Sequence, residues 1–253
     1  MLHRANNPGP EPSESAHSPA DVGDRMSLAD RATDMLRDRI LDLTLEPGLR
    51  LDERSLLEMV DVGRTPIREA LNRLMSEGLI NARGTRGFFV APMDLENAMQ
   101  LLDAYLMAER MVSARLRFDH PGLVPRLEIL DLEFRNHSTA GDLLNVTAAN
   151  AAFHHALAEA TGNMHFLQFS DHLHRLARRL SYYIYRAEKS MSDGRARLFD
   201  QPTEDHRQII DAIRSEDRQT LIAVMTRHAG LFRSRLSGLI EGTMQPDIDF
   251  ETV

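Results

Sequence analysis

Three histidines in the second half of the chain stand where a metal ion could use them. His154 follows Asn150 by one helical turn in NAAFH, so the two side chains share a helix face. His206 lies in EDHRQIIDAI and His228 in MTRHAGLF. Imidazoles from three helices can converge inside a bundle and hold a divalent transition ion. The chain has 11 histidines, so spacing alone also admits ordinary surface or core positions. That ordinary reading is taken for His120, His137, His155, His165, His172 and His174. A second constellation is VGRTPIREALNRLMSEGLI, residues 62–80. Arg64, Arg68 and Asn72 recur every four residues, opposite an apolar face of Ile67, Ala70, Leu71, Leu74 and Met75. Arginines so placed can read guanine edges in a DNA major groove and bind phosphates. The turn Arg83-Gly84-Thr85-Arg86-Gly87 can carry two more guanidinium groups to the backbone or minor groove. Periodicity by itself fits a solvated helix with surface arginines equally well.

These residues need elements to hold them. A helix is predicted from Ser27, with Leu28, Ala32, Met35, Leu36, Ile40 and Leu43 on one face and an end at Glu46-Pro47-Gly48. A short second helix spans about 52–60. The Arg64 stretch is the third, with Thr65 as its cap and Pro66 at its first position. Leu79 to Ala82 and Phe88 to Val90 read as two strands around the Arg83–Gly87 turn. Three helices and a hairpin in that order form a winged helix-turn-helix, assigned to residues 26–92. From Asp94 the pattern turns wholly helical, at roughly 94–118, 121–137, 141–161, 164–188, 202–215 and 217–240. The 3-4 spacing of Phe166, Phe169, Leu173, Leu176, Leu180 and Tyr183 buries one side of the fourth of these. Six such helices make an all-α bundle over residues 93–240. Residues 1–25, rich in Pro, Ser and Gly, are expected to be a disordered tail, and 241–253 a frayed one.

Composition narrows the class. The 253 residues are 42% hydrophobic and 27% charged, as in an ordinary globular protein. No apolar run is long enough to span a bilayer, and the N-terminus has no secretory apolar region. Cysteine is absent, so there is no disulfide framework or thiolate chemistry. A cytoplasmic location fits. The formal charge of −8 is unevenly spread. Residues 62–90 carry five arginines against two glutamates, whereas 28–61 carry five arginines against nine acids. Positive charge is concentrated on the element expected to read DNA.

The residues Pro47-Gly48, Leu51-Asp52-Glu53, the run Arg64 to Leu71, Leu74, Glu77-Gly78-Leu79-Ile80 and Gly87 resemble the DNA-binding domain of GntR-family bacterial transcription regulators. The resemblance implies that Arg54, Arg64, Thr65, Arg68 and Gly84 contact a short inverted repeat. The chain departs from the family at Asp61 and Gly63, where Gly and Ser are usual. The segments NAAFHHALAEATGN, EDHRQIIDAI and the His228 helix resemble the FCD ligand-binding domain of the FadR subfamily. That resemblance implies a metal, zinc or nickel, on His154, His206 and His228, with Asn150 standing where an Asp is usual. A neutral amide leaves one charge uncompensated, which favours an anionic ligand. Tyr105 stands where relatives often have an Arg that meets the effector's carboxylate, on the helix that contains Glu109.

The expected function is a DNA-binding transcriptional regulator, a repressor acting as a homodimer on an inverted-repeat operator. A small organic acid at the metal-containing pocket would control it. Two alternatives stand beside this. One is a metalloenzyme using the three histidines, although the chain has no H-E-x-x-H helix. The other is an acyl-CoA-responsive regulator, against which the three matched histidines argue.

Overall fold

The structure is a computed structural model that describes residues 26–191 and 198–241. The sequence expectations for the tails 1–25 and 242–253 lie outside these residues. The protein is mainly helical, a winged helix-turn-helix followed by an all-α bundle. In the first part, α1 spans Leu28–Leu41, α2 Glu53–Val60 and α3 Arg64–Ser76. The strands are β1 (Arg50–Leu51), β2 (Ile80–Ala82) and β3 (Phe88–Val90).

Local chemistry sets these boundaries. Ser27 and Asp30 form a reciprocal capping box at the start of α1. The helix stops at Leu41, earlier than Pro47-Gly48 suggests, because Leu43 takes a left-handed conformation at φ 63°. Leu28, expected on the buried face, is exposed in the first turn. Asp52 caps α2 through the Ser55 amide. Helix α3 begins at Arg64 with Gly63 as its N-cap, so Thr65 lies inside the helix and does not cap it. Pro66 still costs no hydrogen bond, since its missing N–H falls among the first four unpaired positions. Ile67, Ala70, Leu71 and Leu74 are buried as expected, but Met75 is exposed.

The wing has three strands, not two. β1 pairs antiparallel with β3, and β3 with β2, in the order β1-β3-β2. A two-residue strand carries no readable alternation, which is why β1 was not anticipated. Leu36, Ile40, Leu56, Ile67, Leu74, Ile80 and Val90 join the helices and sheet in one core.

Among the described residues the second part has six helices: α4 (Leu95–Arg115), α5 (Leu123–Ala140), α6 (Leu143–Glu159), α7 (Met164–Met191), α8 (Asp200–Arg214) and α9 (Arg218–Ile240). Their packing closes a ring. α4 packs on α9, α9 on α8, α8 on α5, α5 on α6, α6 on α7 and α7 on α4. On α7 the buried side is Leu173, Ala177, Leu180 and Ile184, while Phe169 is exposed, against expectation. The same helix packs on the winged part. Arg179 donates from Nη1 to the Ala91 carbonyl at 2.7 Å and from Nη2 to the Pro92 carbonyl at 3.0 Å.

Candidate functional site

The interior of the helical ring is polar at its centre. Every helix contributes a titratable side chain: Glu109 from α4, Asp131 from α5, His154 from α6, His174 from α7, Asp205 and His206 from α8, and His228 from α9. All are buried. Each can be read as a core position whose side chain happens to be polar. Burying so many polar groups costs free energy unless they are paired or hold an ion.

The three expected histidines do converge. Their ligand nitrogens lie within 4.8 Å of one another. His154 Nε2 is 3.2 Å from His228 Nε2, and His206 Nε2 is 3.3 Å from Asn150 Oδ1. Each outer nitrogen faces a carboxylate. His154 Nδ1 is 2.7 Å from Glu109 Oε2, His228 Nδ1 is 3.3 Å from Asp205 Oδ2, and His206 Nδ1 is 3.4 Å from Asp131 Oδ1. The last is a close approach without hydrogen-bond alignment. A carboxylate on Nδ1 fixes the proton there and leaves a lone pair on Nε2. The Nε2 atoms of His154 and His228 are then two acceptors facing each other at 3.2 Å. Such a pair needs a cation or a proton between them.

Charge states agree with the geometry. Burial pulls His154 and His228 below the usual imidazole range and His206 to about 3, so all three are neutral and able to ligate. Burial opposes ionisation of Glu109, but the flanking imidazoles win and hold its carboxyl well below the ordinary range. His206 also stacks on Phe153, with ring centroids 4.0 Å apart. The set of three imidazole nitrogens and one amide oxygen fits a divalent transition ion.

His174, taken from sequence as an ordinary core or surface residue, belongs to this centre. Its Nε2 lies 2.7 Å from Glu109 Oε1, so Glu109 bridges His154 and His174. Glu109, Asp131 and Asp205 were also not singled out. The signal was available in register. Leu102, Tyr105, Glu109 and Val112 repeat at 3-4 spacing on the buried face of α4, so Glu109 replaces an apolar residue there. Tyr105 is buried, its ring 4.8 Å from that of His174 and edge-on. It lines a narrow pocket that also reaches Asn150 and His174.

On the winged part, Arg64, Arg68 and Asn72 are exposed along one side of α3. Arg64 makes no ion pair among the described residues. Arg68 pairs with Glu53 at 3.3 Å, and Arg54 with Glu58 at 3.3 Å. Exposed pairs of this kind are weak and can be exchanged for phosphate. Gly63 gives α3 no side-chain cap, so the first amides of the helix remain available to an anion. Gly84 opens a single 3-10 turn, Gly84–Arg86, at the wing tip. Arg83 beside it lies over the Phe89 ring at 4.9 Å. Asp61 ends α2 in a left-handed conformation and is exposed.

A winged helix joined to a helical ring with a polar centre defines a two-domain regulator, one part shaped for DNA and the other enclosing a site. Residues 28–90 match the gntR family of bacterial regulatory proteins, and residues 99–231, more than half of the chain, match the FCD domain. The chain belongs to the GntR family of transcription regulators and carries an FCD domain. It is 28% identical over 238 residues to the Uxu operon transcriptional regulator of Escherichia coli (strain K12), covering 86% of this chain and 88% of that protein. It is 27% identical over 220 residues to the HTH-type transcriptional regulator LutR of Bacillus subtilis (strain 168), covering 79% of this chain and 97% of LutR. A GntR chain from Rhodococcus sp. RHA1 superposes with a TM-score of 0.67 at 22% identity, covering 84% of this chain and 99% of that one. E. coli McbR/YncC superposes with a TM-score of 0.63 at 20% identity, covering 84% and 100%. These structural likenesses speak to the fold. The family and its relatives are regulators, which removes the metalloenzyme alternative.

Proposed function

We propose that this regulator is a metal-containing, effector-controlled repressor of the FadR subfamily, acting in the cytoplasm as a homodimer on an inverted-repeat operator. His154, His206, His228 and Asn150 hold a divalent zinc or nickel ion, which supplies a Lewis-acid anchor for a small organic acid. Asn150 brings no charge, so an anionic ligand supplies what the usual Asp would have given. Arg64, Thr65 and Arg68 on α3 enter the major groove, with Arg54 and the wing at Gly84 against the backbone. Effector binding shifts the helices around the centre, and with them the spacing of two winged domains.

The observation that carries this reading is the convergence of three Nε2 atoms whose Nδ1 atoms all face carboxylates. Elemental analysis of the purified protein should find about one transition ion per chain, lost in His154→Ala and His206→Ala. A wild type that stays metal-free when zinc or nickel is supplied would sink the metal assignment. In parallel, Arg64→Ala with Arg68→Ala should abolish binding to DNA upstream of the neighbouring gene, with circular dichroism unchanged. Retained binding would sink the recognition-helix assignment.

A further inference from the structure

At the joint between the two parts lies a buried arginine that forms no ion pair among the described residues. Arg179 of α7 is 7% exposed, and burial lowers its pKa to about 10 with no neighbouring acid to offset the loss. A guanidinium is costly to bury unless its donors are used. Arg179 spends two of them on backbone, the Ala91 carbonyl at 2.7 Å and the Pro92 carbonyl at 3.0 Å. Those carbonyls need a donor. Pro92 has no amide, so the ladder of β3 cannot run on past Ala91, and buried carbonyls there lose their usual partners.

The rest of the linker is taken up from both sides. The Ala91 amide donates to the Leu79 carbonyl of the winged part at 2.9 Å. Met93 is buried in the core of the helical part, together with Leu43 from the winged part. The face around the linker is packed as well. A Cβ on Gly78 would lie 3.2 Å from Leu176 Cδ2 and 3.7 Å from His172 Cε1, both on α7. Beside Arg179, Arg178 feels the charges of the winged part, drawn by Asp38 and Glu77 and repelled by Arg37. Five residues before Arg179, about 7.5 Å along the helix axis, His174 bonds Glu109 in the polar centre. One helix therefore touches both the polar centre and the winged part.

Domains joined by a short linker ordinarily move relative to each other. We infer that Arg179 is a clamp that fixes the winged part to α7, so that the two move as one body and the linker does not swing as a hinge. A displacement of α7 at the polar centre would then carry the winged part with it. That consequence rests on the effector reading above, whereas the clamp does not.

The test is calorimetry of the full chain, with subtilisin cleavage at residues 91–94 as a second reading. The wild type should melt in one transition and be cut slowly at the linker. Arg179→Met keeps the aliphatic stem and removes the donors. It should lower the melting of the winged part by about 5–10 °C and so split the transition in two. Cleavage at the linker should quicken about tenfold. Arg179→Lys, which cannot reach both carbonyls with a planar fork, should fall between the two. A wild type in which the winged part melts separately overturns the inference. So does an Arg179→Met protein with a single transition, shifted or not, and linker cleavage as slow as in wild type. Should Arg179→Met fail to fold by circular dichroism, Arg179→Lys decides, and wild-type behaviour there overturns the inference. These measurements need neither metal nor effector, so their failure leaves the effector reading standing.

Discussion

Asn150 is as uncharged as the three neutral imidazoles beside it, so the proposed ligand set brings no charge of its own to an ion. Asn150→Asp should therefore raise metal affinity by about tenfold or more, measured by competition with a chelator of known strength. It should also weaken the preference for an anionic ligand, because the missing charge is then supplied by the protein. Equal affinity in the two proteins would show that Asn150 does not ligate. The residues of this centre were unequally legible. His154, His206 and His228 could be singled out because His on a buried helix face is conspicuous, and a family motif separates them from the rest. Glu109, Asp131 and Asp205 were hidden because a carboxylate on a helix is usually solvated. Only their register against apolar neighbours marks them as interior, and register is reliable only once the buried face is known. His174 shares its helix with other histidines, and nothing in spacing separates it from them.

At the scale of elements, the joint between β2's turn and α7 is the place where sequence and packing meet most tightly. Gly78 has φ 79°, and a Cβ there would lie 3.2 Å from Leu176 Cδ2. Gly78→Ala should cost about 1–2 kcal/mol from the left-handed backbone alone, seen as a lowered thermal midpoint by calorimetry. The repulsion falls on the contact between the two parts, so the loss should extend beyond the winged core. The first helix offers a pH test. Asp30 is held down to about 2, first by the Ser27 hydroxyl and then by Arg73, against an ordinary value of 3.8. Its folded value is depressed, so its stabilisation is complete above about pH 4 and fades as the pH falls toward 2. Asp30→Asn should lower stability at neutral pH and flatten that part of the acid-unfolding curve, so that the two proteins converge toward pH 2. The helices themselves were readable from apolar periodicity, since each buries a wide stripe. Helix ends were less so. Leu43 turns left-handed before Pro47-Gly48 is reached, and a tertiary contact decides it: Leu43 packs into the core of the helical part.

For the whole molecule, the proposed homodimer needs an apolar face that the single chain leaves uncovered. Helix α4 carries one, with Met107 61% exposed and Met111 36% exposed a turn further on. Met107→Glu combined with Met111→Glu should shift the protein from dimer to monomer in light scattering, with the helical signal intact. Operator affinity should fall with it, since an inverted repeat is held by two half-sites at once. A double variant that stays dimeric places the interface elsewhere. The architecture was open to sequence reading because the switch from mixed to wholly helical patterning falls at Asp94. The closing of six helices into a ring, with one polar side chain or more from each, was not, because it depends on which helices are neighbours.

That ring also has an order in time. Its last wall is α9, and His228 arrives with it. Chains emerge N-terminus first and domains fold as units, at about 5–20 residues per second. Arg64 and Arg68 are thus in place on the nascent polypeptide while the polar centre still lacks His228 and one wall. Translating the helical part takes roughly seven to thirty seconds at that pace. For that interval each newly made molecule has its proposed reading head before it has the centre proposed to control it.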